Sequence, residues 1–199
     1  MPFRVRCSSA SSTSSNVDRA IRRRSILKFG LGGLCLTAIS PVVAVGQSDP
    51  ASMPPQEGDL LVKLDDPASK PLGSADVVAQ APPLMAWPMD PVSKIVRKAN
   101  RLNEVLLIRL NPGDSQPNAT GDVLAFSALC SHAGCDVTQW IPEMGILSCD
   151  CHQSEFDAKA NGRVVGGPAA RPLPPLVLKV EGAVLVVAKP FAAPIRFDG

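Results

Sequence analysis

The sequence predicts an all-β domain, and two observations support that class. The chain of 199 residues contains 20 prolines and 15 glycines, scattered without a period, which indicates many turns and argues against a collagen-like or helix-bundle protein. Six short apolar runs also have the length and composition of strands, and Gly, Pro, Asn or Asp bound several of them. The predicted strands are residues 60–63, 105–110, 123–127, 146–148, 177–180 and 183–187.

The first 21 residues form a basic leader that we expect to be disordered, because the Ser-rich stretch at 8–16 has too little apolar surface to offset ordering. The first 28 residues hold seven basic side chains against one acid, whereas residues 47–199 hold 13 basic and 17 acidic ones, a net charge of −4. This asymmetry indicates a targeting segment and argues against nucleic-acid binding, which needs a clustered basic face.

Residues 22–46 are predicted to be a twin-arginine export signal. Arg23 and Arg24 open the run Arg-Arg-Ser-Ile-Leu-Lys, which resembles the export motif Arg-Arg-x-Phe-Leu-Lys. The uncharged run that follows, 29–45, is interrupted by Gly and Pro and is at the short end of the roughly 17 to 25 residues that span a membrane. We expect cleavage before Gln47 and a periplasmic protein; an uncleaved segment would anchor the domain to the inner membrane.

Four of the six cysteines and both histidines fall in two short segments, 130–135 (Cys-Ser-His-Ala-Gly-Cys) and 149–154 (Cys-Asp-Cys-His-Gln-Ser). Each segment offers a thiolate and an imidazole at close spacing. Zinc sites usually place two to four residues between their first two ligands, so the single residue between Cys130 and His132 is awkward for one tetrahedral ion. A binuclear [2Fe-2S] cluster relaxes this constraint, because two cysteines hold one iron and two histidines the other.

Both segments match the pattern of Rieske iron–sulfur proteins, Cys-x-His-x-Gly-Cys followed by Cys-x-Cys-His-x-Ser, and the chain resembles that family. The resemblance implies a [2Fe-2S] cluster with iron ligands Cys130, His132, Cys149 and His152, and with Ser154 hydrogen-bonded to a bridging sulfur. It also implies a disulfide between Cys135 and Cys151, which an exported protein permits. The implied fold is an antiparallel β-sandwich over 59–199, after a linker at 47–58, with a cluster-binding subdomain inserted near 128–170.

The extra cysteine pair favours the disulfide-containing, electron-transfer branch of the family, because Rieske ferredoxins and ring-hydroxylating oxygenases generally lack it. An oxygenase also needs a mononuclear iron held by two histidines and a carboxylate. The chain has only His132 and His152, and the cluster uses both. We therefore expect an electron-transfer subunit with no independent catalytic site.

Residues of the second segment, together with Phe156 just after it, predict an intermediate reduction potential. Phe156 stands where quinol-oxidising members of the family have a Tyr that bonds a cysteine sulfur, so one bond that stabilises the reduced cluster is missing. Asp150 replaces a usual Pro and Gln153 a usual Gly, and both changes point to a lower potential. Residues 166–169 lie at the distance of the family's proline loop, which implies a third wall around the cluster; a plain turn is the alternative.

Three functions remain open. The tetrad 154–157 resembles the small subunit of arsenite oxidase, which implies a periplasmic relay from a larger redox subunit to a c-type cytochrome. The alternative is the membrane-anchored Rieske subunit of a quinol:cytochrome c reductase, against which Ala133, in place of the usual Leu, and Phe156 argue. A structural zinc or redox-sensing module is the third. Residues 59–104 match the arsenite oxidase subunit poorly, and 85–91 have no assignment.

Overall fold

The computed structural model describes residues 49–114, 116–117 and 119–198, and the described chain is all-β, as predicted. In that part of the chain, ten strands form two antiparallel sheets, and the other regular elements are three single 3₁₀ turns at Ser74–Asp76, Arg101–Asn103 and Ala158–Ala160. The strands are β1 (Leu60–Lys63), β2 (Leu84–Met89), β3 (Val105–Arg109), β4 (Val123–Ser127), β5 (Gln139–Ile141), β6 (Ile146–Cys149), β7 (Ser154–Asp157), β8 (Arg163–Gly166), β9 (Val177–Glu181) and β10 (Val184–Lys189).

The larger sheet has six strands in the order β4-β3-β2-β1-β10-β9, and its two edges meet. The Ser127 N–H on β4 donates to the Pro174 carbonyl at 2.9 Å, and the Leu176 N–H donates to the Ala125 carbonyl at 2.9 Å. The segment leading into β9 thereby covers the free edge of β4, which removes the unpaired backbone groups of that edge. The layers of the predicted sandwich are thus parts of one sheet folded onto itself.

Strands β3 and β4 lie between two hydrophobic cores, which explains their continuous apolar sequences. Val105 and Leu107 point into the core enclosed by the six-stranded sheet. Leu106 and Ile108, on the opposite face of β3, belong to a second core that the inserted sheet covers. A strand buried on both faces has no solvent-exposed position for an alternating polar residue.

The smaller sheet has the order β5-β6-β7-β8, and all four of its strands lie between β4 and β9 in the chain. The predicted fold class, a β-sandwich with an inserted subdomain, is therefore confirmed. Trp140, Leu147 and Phe156 face the outer side of β3 and β4 and form the shared core. This packing places the loops at the ends of the small sheet on a rigid support.

The structure adds four strands that the sequence analysis missed, because three of them have only three or four residues and β2 contains Pro88. A proline inside a paired strand is unusual, since it cannot donate to the ladder. Strand β3 begins at Val105, which pairs with Ala86, so it does not extend to Pro88. On the side of β2 that faces away from β1, the Pro88 carbonyl instead accepts a hydrogen bond from the Arg97 N–H, at 2.8 Å.

The predicted strands at 177–180 and 183–187 form the β9–β10 hairpin, but its turn is shifted by one residue from the gap that those bounds leave at 181–182. Glu181 pairs with Val184, so the loop consists of Gly182 and Ala183 rather than Glu181 and Gly182. Gly182 has a φ of +64°, as a two-residue hairpin with Gly at its first position requires.

The predicted leader at 1–21 and the export signal at 22–46 lie outside the described residues, as do residues 47 and 48 of the predicted linker. Among the described residues, no helix has the length and apolarity needed to cross a membrane.

Candidate metal centre

The first cysteine–histidine segment is a tight loop after β4. The Gly134 N–H donates to the Cys130 carbonyl at 2.9 Å, and the Cys130 N–H donates to the Cys135 carbonyl at 2.7 Å. Gly134 has a φ of +72°, a conformation in which glycine carries no Cβ penalty. The loop therefore holds Cys130 and His132 on one short, internally bonded turn.

The second segment is the hairpin loop between β6 and β7. Cys149 ends β6 and pairs with Ser154, the first residue of β7. The Gln153 N–H closes the loop on the Cys149 carbonyl at 3.0 Å. Gln153 has a φ of +58°, which gives a physical reason for the glycine that the family usually has at this position.

The two loops bring two thiols and two imidazoles together. Cys130 and Cys149 are free and buried, and the rings of His132 and His152 lie 4.6 Å apart between centroids, at an interplanar angle of 84°. His132 is half-buried and His152 is exposed. The pair of imidazoles thus faces outward, while the pair of thiols lies beneath the surface.

One nitrogen of His132 supports a metal-binding role. Its Nδ1 atom is buried and has no hydrogen-bond partner among the described residues. An unpaired buried polar atom costs roughly 1–3 kcal/mol, and imidazole nitrogen is among the commonest metal ligands. The chemistry of this atom, next to a second imidazole and two thiols, fits a bound iron–sulfur cluster. Trp140 Nε1 is also unpaired, and the structure offers no account of it.

The remaining two cysteines form the predicted disulfide, which is confirmed. Cys135 of the first loop and Cys151 of the second are bonded, with their Cα atoms 6.5 Å apart. The sulfur atoms of Cys135, Cys149 and Cys151 lie within 4.8 Å of one another, so the bridge passes directly beside the candidate ligand Cys149. Since the bridged sulfurs are not thiolates, they are not candidates for metal ligation.

The Cys149 thiol needs a cation if it is to ionise. Burial raises its pKa above the ordinary value, and the neighbouring Cys130 thiol raises it further. Hydrogen bonds from the Cys151 and His152 backbone act in the opposite direction but are the smaller influence. A metal ion supplies the positive charge that favours the thiolate.

Ser154 and the segment 166–169 form a third side of the site. Ser154 is fully buried, and its Oγ accepts a hydrogen bond from the Ala169 N–H at 3.3 Å, which leaves the hydroxyl hydrogen free to donate elsewhere. A Cβ atom on Gly167 would lie 2.3 Å from the Gln153 carbonyl oxygen. This segment therefore packs against the second loop, and its glycine is required by that close contact.

Two of the three residues that led to the expectation of an intermediate potential, Phe156 and Asp150, have different surroundings. Phe156 is fully buried in the core beneath the second loop. Asp150 is exposed, and its carboxylate accepts hydrogen bonds from Thr138 Oγ1 and Gln139 Nε2, each at 3.0 Å. The Asp150 carboxylate is thus held at the start of β5 by these two hydrogen bonds.

The structure also places at the first loop several residues that no sequence motif had pointed to. Arg101 donates to the Gly134 carbonyl at 3.1 Å and forms an ion pair with Asp136. Arg171 and Asp198 reach the same loop from the C-terminal side. These residues are 27 or more positions from their partners in the chain, and no local motif marks them.

The arrangement defines a class of protein. Two cross-linked loops on a β-scaffold carry two thiols and two imidazoles. This combination of metal ligands is typical of an iron–sulfur protein with histidine ligation.

Comparison with known proteins identifies a domain of that class. Residues 94–180 match the family model for the Rieske [2Fe-2S] domain. The cytochrome bc1 complex Rieske iron-sulfur subunit of Corynebacterium glutamicum is 38% identical over 103 residues, which cover 47% of this chain and 25% of that protein. The corresponding subunit of Streptomyces coelicolor is 28% identical over 177 residues, covering 80% and 48%. The chain carries a Rieske [2Fe-2S] domain, and that domain binds a [2Fe-2S] cluster.

Other relatives carry different descriptions. A putative respiratory nitrate reductase subunit Rieske of Haloferax mediterranei is 41% identical over 77 residues, which cover 38% of this chain and 34% of that protein. The plasma membrane Rieske protein of Synechocystis PCC 6803 is 27% identical, covering 58% of this chain and 93% of that structure, with a TM-score of 0.39. The chain spans about a quarter of the length of the first curated relatives it matches. The finer resemblance to the arsenite oxidase small subunit stays a prediction.

Proposed function

We propose that Cys130 and Cys149 hold one iron of the cluster and that His132 and His152 hold the other. The observation that carries this assignment is the convergence of two free buried thiols and two adjacent imidazoles, one of each from each loop. The unpaired Nδ1 of His132 supports it, because a ligand bond would satisfy that atom. Ser154 would donate its free hydroxyl hydrogen to a cluster sulfur.

We further propose that the domain transfers single electrons as a subunit of an exported oxidoreductase complex. When bound, the cluster supplies a one-electron couple, in a range of roughly −150 to +300 mV for histidine-ligated centres. The exposed ring of His152 provides the point of approach for a partner, whereas Cys130, Cys149 and Ser154 are shielded from water. The proposed partners are a larger redox subunit and a c-type cytochrome.

A second candidate function is that of the Rieske subunit in a quinol:cytochrome c reductase. It is favoured by the relatives described as cytochrome bc1 subunits. Two features of the site favour the relay instead. Phe156 offers no hydroxyl to the cluster, and Ala133, exposed at the tip of the first loop, offers less apolar surface to a quinol than the leucine usual in quinol oxidisers.

Visible absorption and electron paramagnetic resonance (EPR) spectra of the purified, reduced protein test the cluster assignment. We expect the spectrum of a histidine-ligated [2Fe-2S] centre and two irons per chain. Replacing His152 with Cys should retain iron but change the g-values, because imidazole would be exchanged for thiolate. A colourless protein that contains zinc and gives no EPR signal would overturn the assignment and support the structural zinc or redox-sensing alternative.

Reduction of the protein in membranes by added quinol separates the two electron-transfer functions. The relay predicts a protein whose cluster is not reduced by quinol and that passes electrons to a c-type cytochrome. Quinol-dependent reduction that antimycin alters would support the reductase instead.

Export by the twin-arginine route is part of the proposal, and the disulfide supports it because such bonds persist in oxidising compartments. Replacing both Arg23 and Arg24 with Lys should leave the full-length protein in the cytoplasm, whereas Arg22→Lys should not affect export. Cell fractionation reads out the result. Normal export of the double variant would contradict this route.

A further inference from the structure

The segment 190–198, which we call the C-terminal strap, follows β10 and ends on the first cysteine–histidine loop. The Ala192 N–H donates to the Pro175 carbonyl at 3.0 Å, which holds the beginning of the strap against the segment before β9. At its other end, the Asp198 N–H donates to the Ser131 carbonyl at 3.1 Å and to the His132 carbonyl at 3.0 Å. The strap therefore contacts the loop beside one of the proposed iron ligands.

These two hydrogen bonds restrict the backbone of His132. The Ser131 and His132 carbonyls belong to the two peptide planes on either side of the His132 Cα atom. Because peptide units are planar, holding both planes to one N–H restricts the φ and ψ angles of His132. The orientation of the imidazole depends on those angles. One backbone N–H of the strap thus controls the direction in which a candidate ligand points.

The side chain of Phe197 adds an apolar contact to the same loop. A Cβ atom on Gly134 would lie 3.1 to 3.4 Å from three carbon atoms of the Phe197 ring. The ring therefore fills the space beside a glycine that the loop already requires for its φ of +72°. Phe197 remains 43% exposed, so it forms an outer wall of the loop and is not a member of the core.

A ring of hydrogen bonds joins the strap to two other segments. Ser131 is buried, and its Oγ donates to the Arg171 carbonyl at 2.6 Å. The Arg171 Nε donates to the Asp198 carboxylate at 2.7 Å, and the Asp198 N–H returns to Ser131. A charge-assisted bond between Arg and a carboxylate is stronger than a neutral one. The ring attaches a segment with no regular structure to the first loop.

We propose that the C-terminal strap is a further wall of the metal centre and that Asp198 and Phe197 are positioning residues for His132. This inference rests on the proposed assignment of His132 as an iron ligand. It adds a role for residues beyond the matched Rieske region, which ends at residue 180. The strap fixes the His132 backbone through Asp198 and keeps water from the first loop through Phe197.

Three variants of the full chain separate the contributions of the strap. Asp198→Pro removes the N–H that binds the Ser131 and His132 carbonyls, while Asp198→Asn keeps this N–H and weakens only the bond with Arg171. Phe197→Ala removes the aromatic wall. The matched control is Arg196→Gln, because the described structure gives the exposed Arg196 side chain no hydrogen bond or ion pair.

The measurements are the rate of iron loss to an excess of bathophenanthroline, the EPR g-values and the melting temperature. We expect Asp198→Pro to lose iron about tenfold faster than wild type, as changes behind metal ligands do, with altered g-values. Phe197→Ala and Asp198→Asn should lose iron faster by smaller factors, and Arg196→Gln should equal wild type. The melting temperature of the metal-free forms should not differ, which distinguishes positioning from general destabilisation.

Two outcomes would overturn the proposal in distinguishable ways. If wild type shows the Rieske spectrum and Asp198→Pro has wild-type iron loss and g-values, the strap has no positioning role and the proposed function stands. If wild type binds no cluster, the proposed function fails, and this inference fails with it. Iron loss accelerated together with a lowered melting temperature of the metal-free variant would assign the strap a structural role only, which also contradicts the proposal.

Discussion

The six-stranded sheet and the inserted four-stranded sheet differ in what holds their ends together. The larger sheet consists of strands of four to six residues, and its two edges are joined by hydrogen bonds between β4 and the segment before β9. The inserted strands have three or four residues, and their loops are joined by a disulfide and by side chains from outside the sheet. The larger sheet is stabilised by its own burial, while the loop end of the smaller one depends on cross-links.

This difference matters for function because the loops must hold polar and ionisable groups beside one another. Two thiols and a half-buried imidazole cannot be stabilised by apolar packing alone, since unpaired buried polar groups are costly. The larger sheet carries β3 and β4, whose outer faces form one side of the core beneath the loops. The scaffold thus provides rigidity, and the cross-links and the cluster provide local order.

The largest effect should come from the one buried ion pair that supports the larger sheet in the described chain. Arg97 and Asp59 are buried and share two hydrogen bonds, at 2.6 and 2.9 Å. Arg97→Met should lower the free energy of unfolding by about 3–5 kcal/mol, because it leaves the Asp59 carboxylate buried without its partner. Urea unfolding followed by circular dichroism measures the loss.

The double variant Asp59→Leu, Arg97→Met provides the control for that prediction. Replacing both charges with apolar groups should recover most of the lost stability, because no charge is then left unpaired. A double variant as unstable as Arg97→Met would show that the ion pair is not the cause. A single variant within 1 kcal/mol of wild type would contradict the prediction itself.

Removal of the disulfide should have the next largest effect, and the effect should be confined to the inserted sheet. Replacing Cys135 and Cys151 with Ala opens a cross-link between residues 16 positions apart, which corresponds to about 3 kcal/mol in the loop-entropy account. Each sheet contains one of the two tryptophans, Trp87 in β2 and Trp140 in β5. Single-tryptophan versions of the variant therefore report on each sheet separately.

In urea, the fluorescence of Trp140 should change at a lower concentration than that of Trp87 in the variant without the disulfide. In the protein with the disulfide intact, the two transitions should lie closer together. Coincident transitions in both proteins would show that the two sheets unfold as one unit and that the cross-link stabilises the whole domain.

The reduction potential should respond to a single hydroxyl group beneath the second loop. Phe156→Tyr adds a donor that we expect to bond a cysteine sulfur and to stabilise the reduced cluster. A change of the order of 60 mV upward corresponds to a factor of about ten in a one-electron equilibrium. Phe126→Tyr is the matched control, because Phe126 is also fully buried in the same core but lies on β4. A potential that stays unchanged or falls in Phe156→Tyr would contradict the expectation.

The sequence predicted those parts of the molecule that are encoded by local patterns. The strands β1 and β4 have the predicted bounds, because each is a compact apolar run with turn residues nearby. The disulfide partners were also identified, since both belong to the motif. Strand β2 was missed because its proline satisfies a local rule for a break, whereas only the three-dimensional structure shows that β3 pairs with residues 84–86 and does not reach Pro88. Contacts between remote segments, such as Arg171 with Asp198, leave no pattern in the sequence.

The smallest expected effect on stability concerns the backbone of the second loop. One residue there tests whether the loop end of the inserted sheet, unlike the larger sheet, contains a strained backbone. Gln153 has a φ of +58°, a left-handed conformation that costs an ordinary residue roughly 1–2 kcal/mol. Gln153→Gly should remove this strain, lose the weak bond from Nε2 to the Asp150 carbonyl, and increase the entropy of the unfolded chain. The net gain in the free energy of unfolding should be about 0.5–1 kcal/mol. Asn161→Gly, at a φ of +57°, is the control and should gain less, because asparagine tolerates this conformation. If Gln153→Gly is less stable than wild type in urea unfolding, the glutamine side chain, and not backbone strain, decides the stability of the loop.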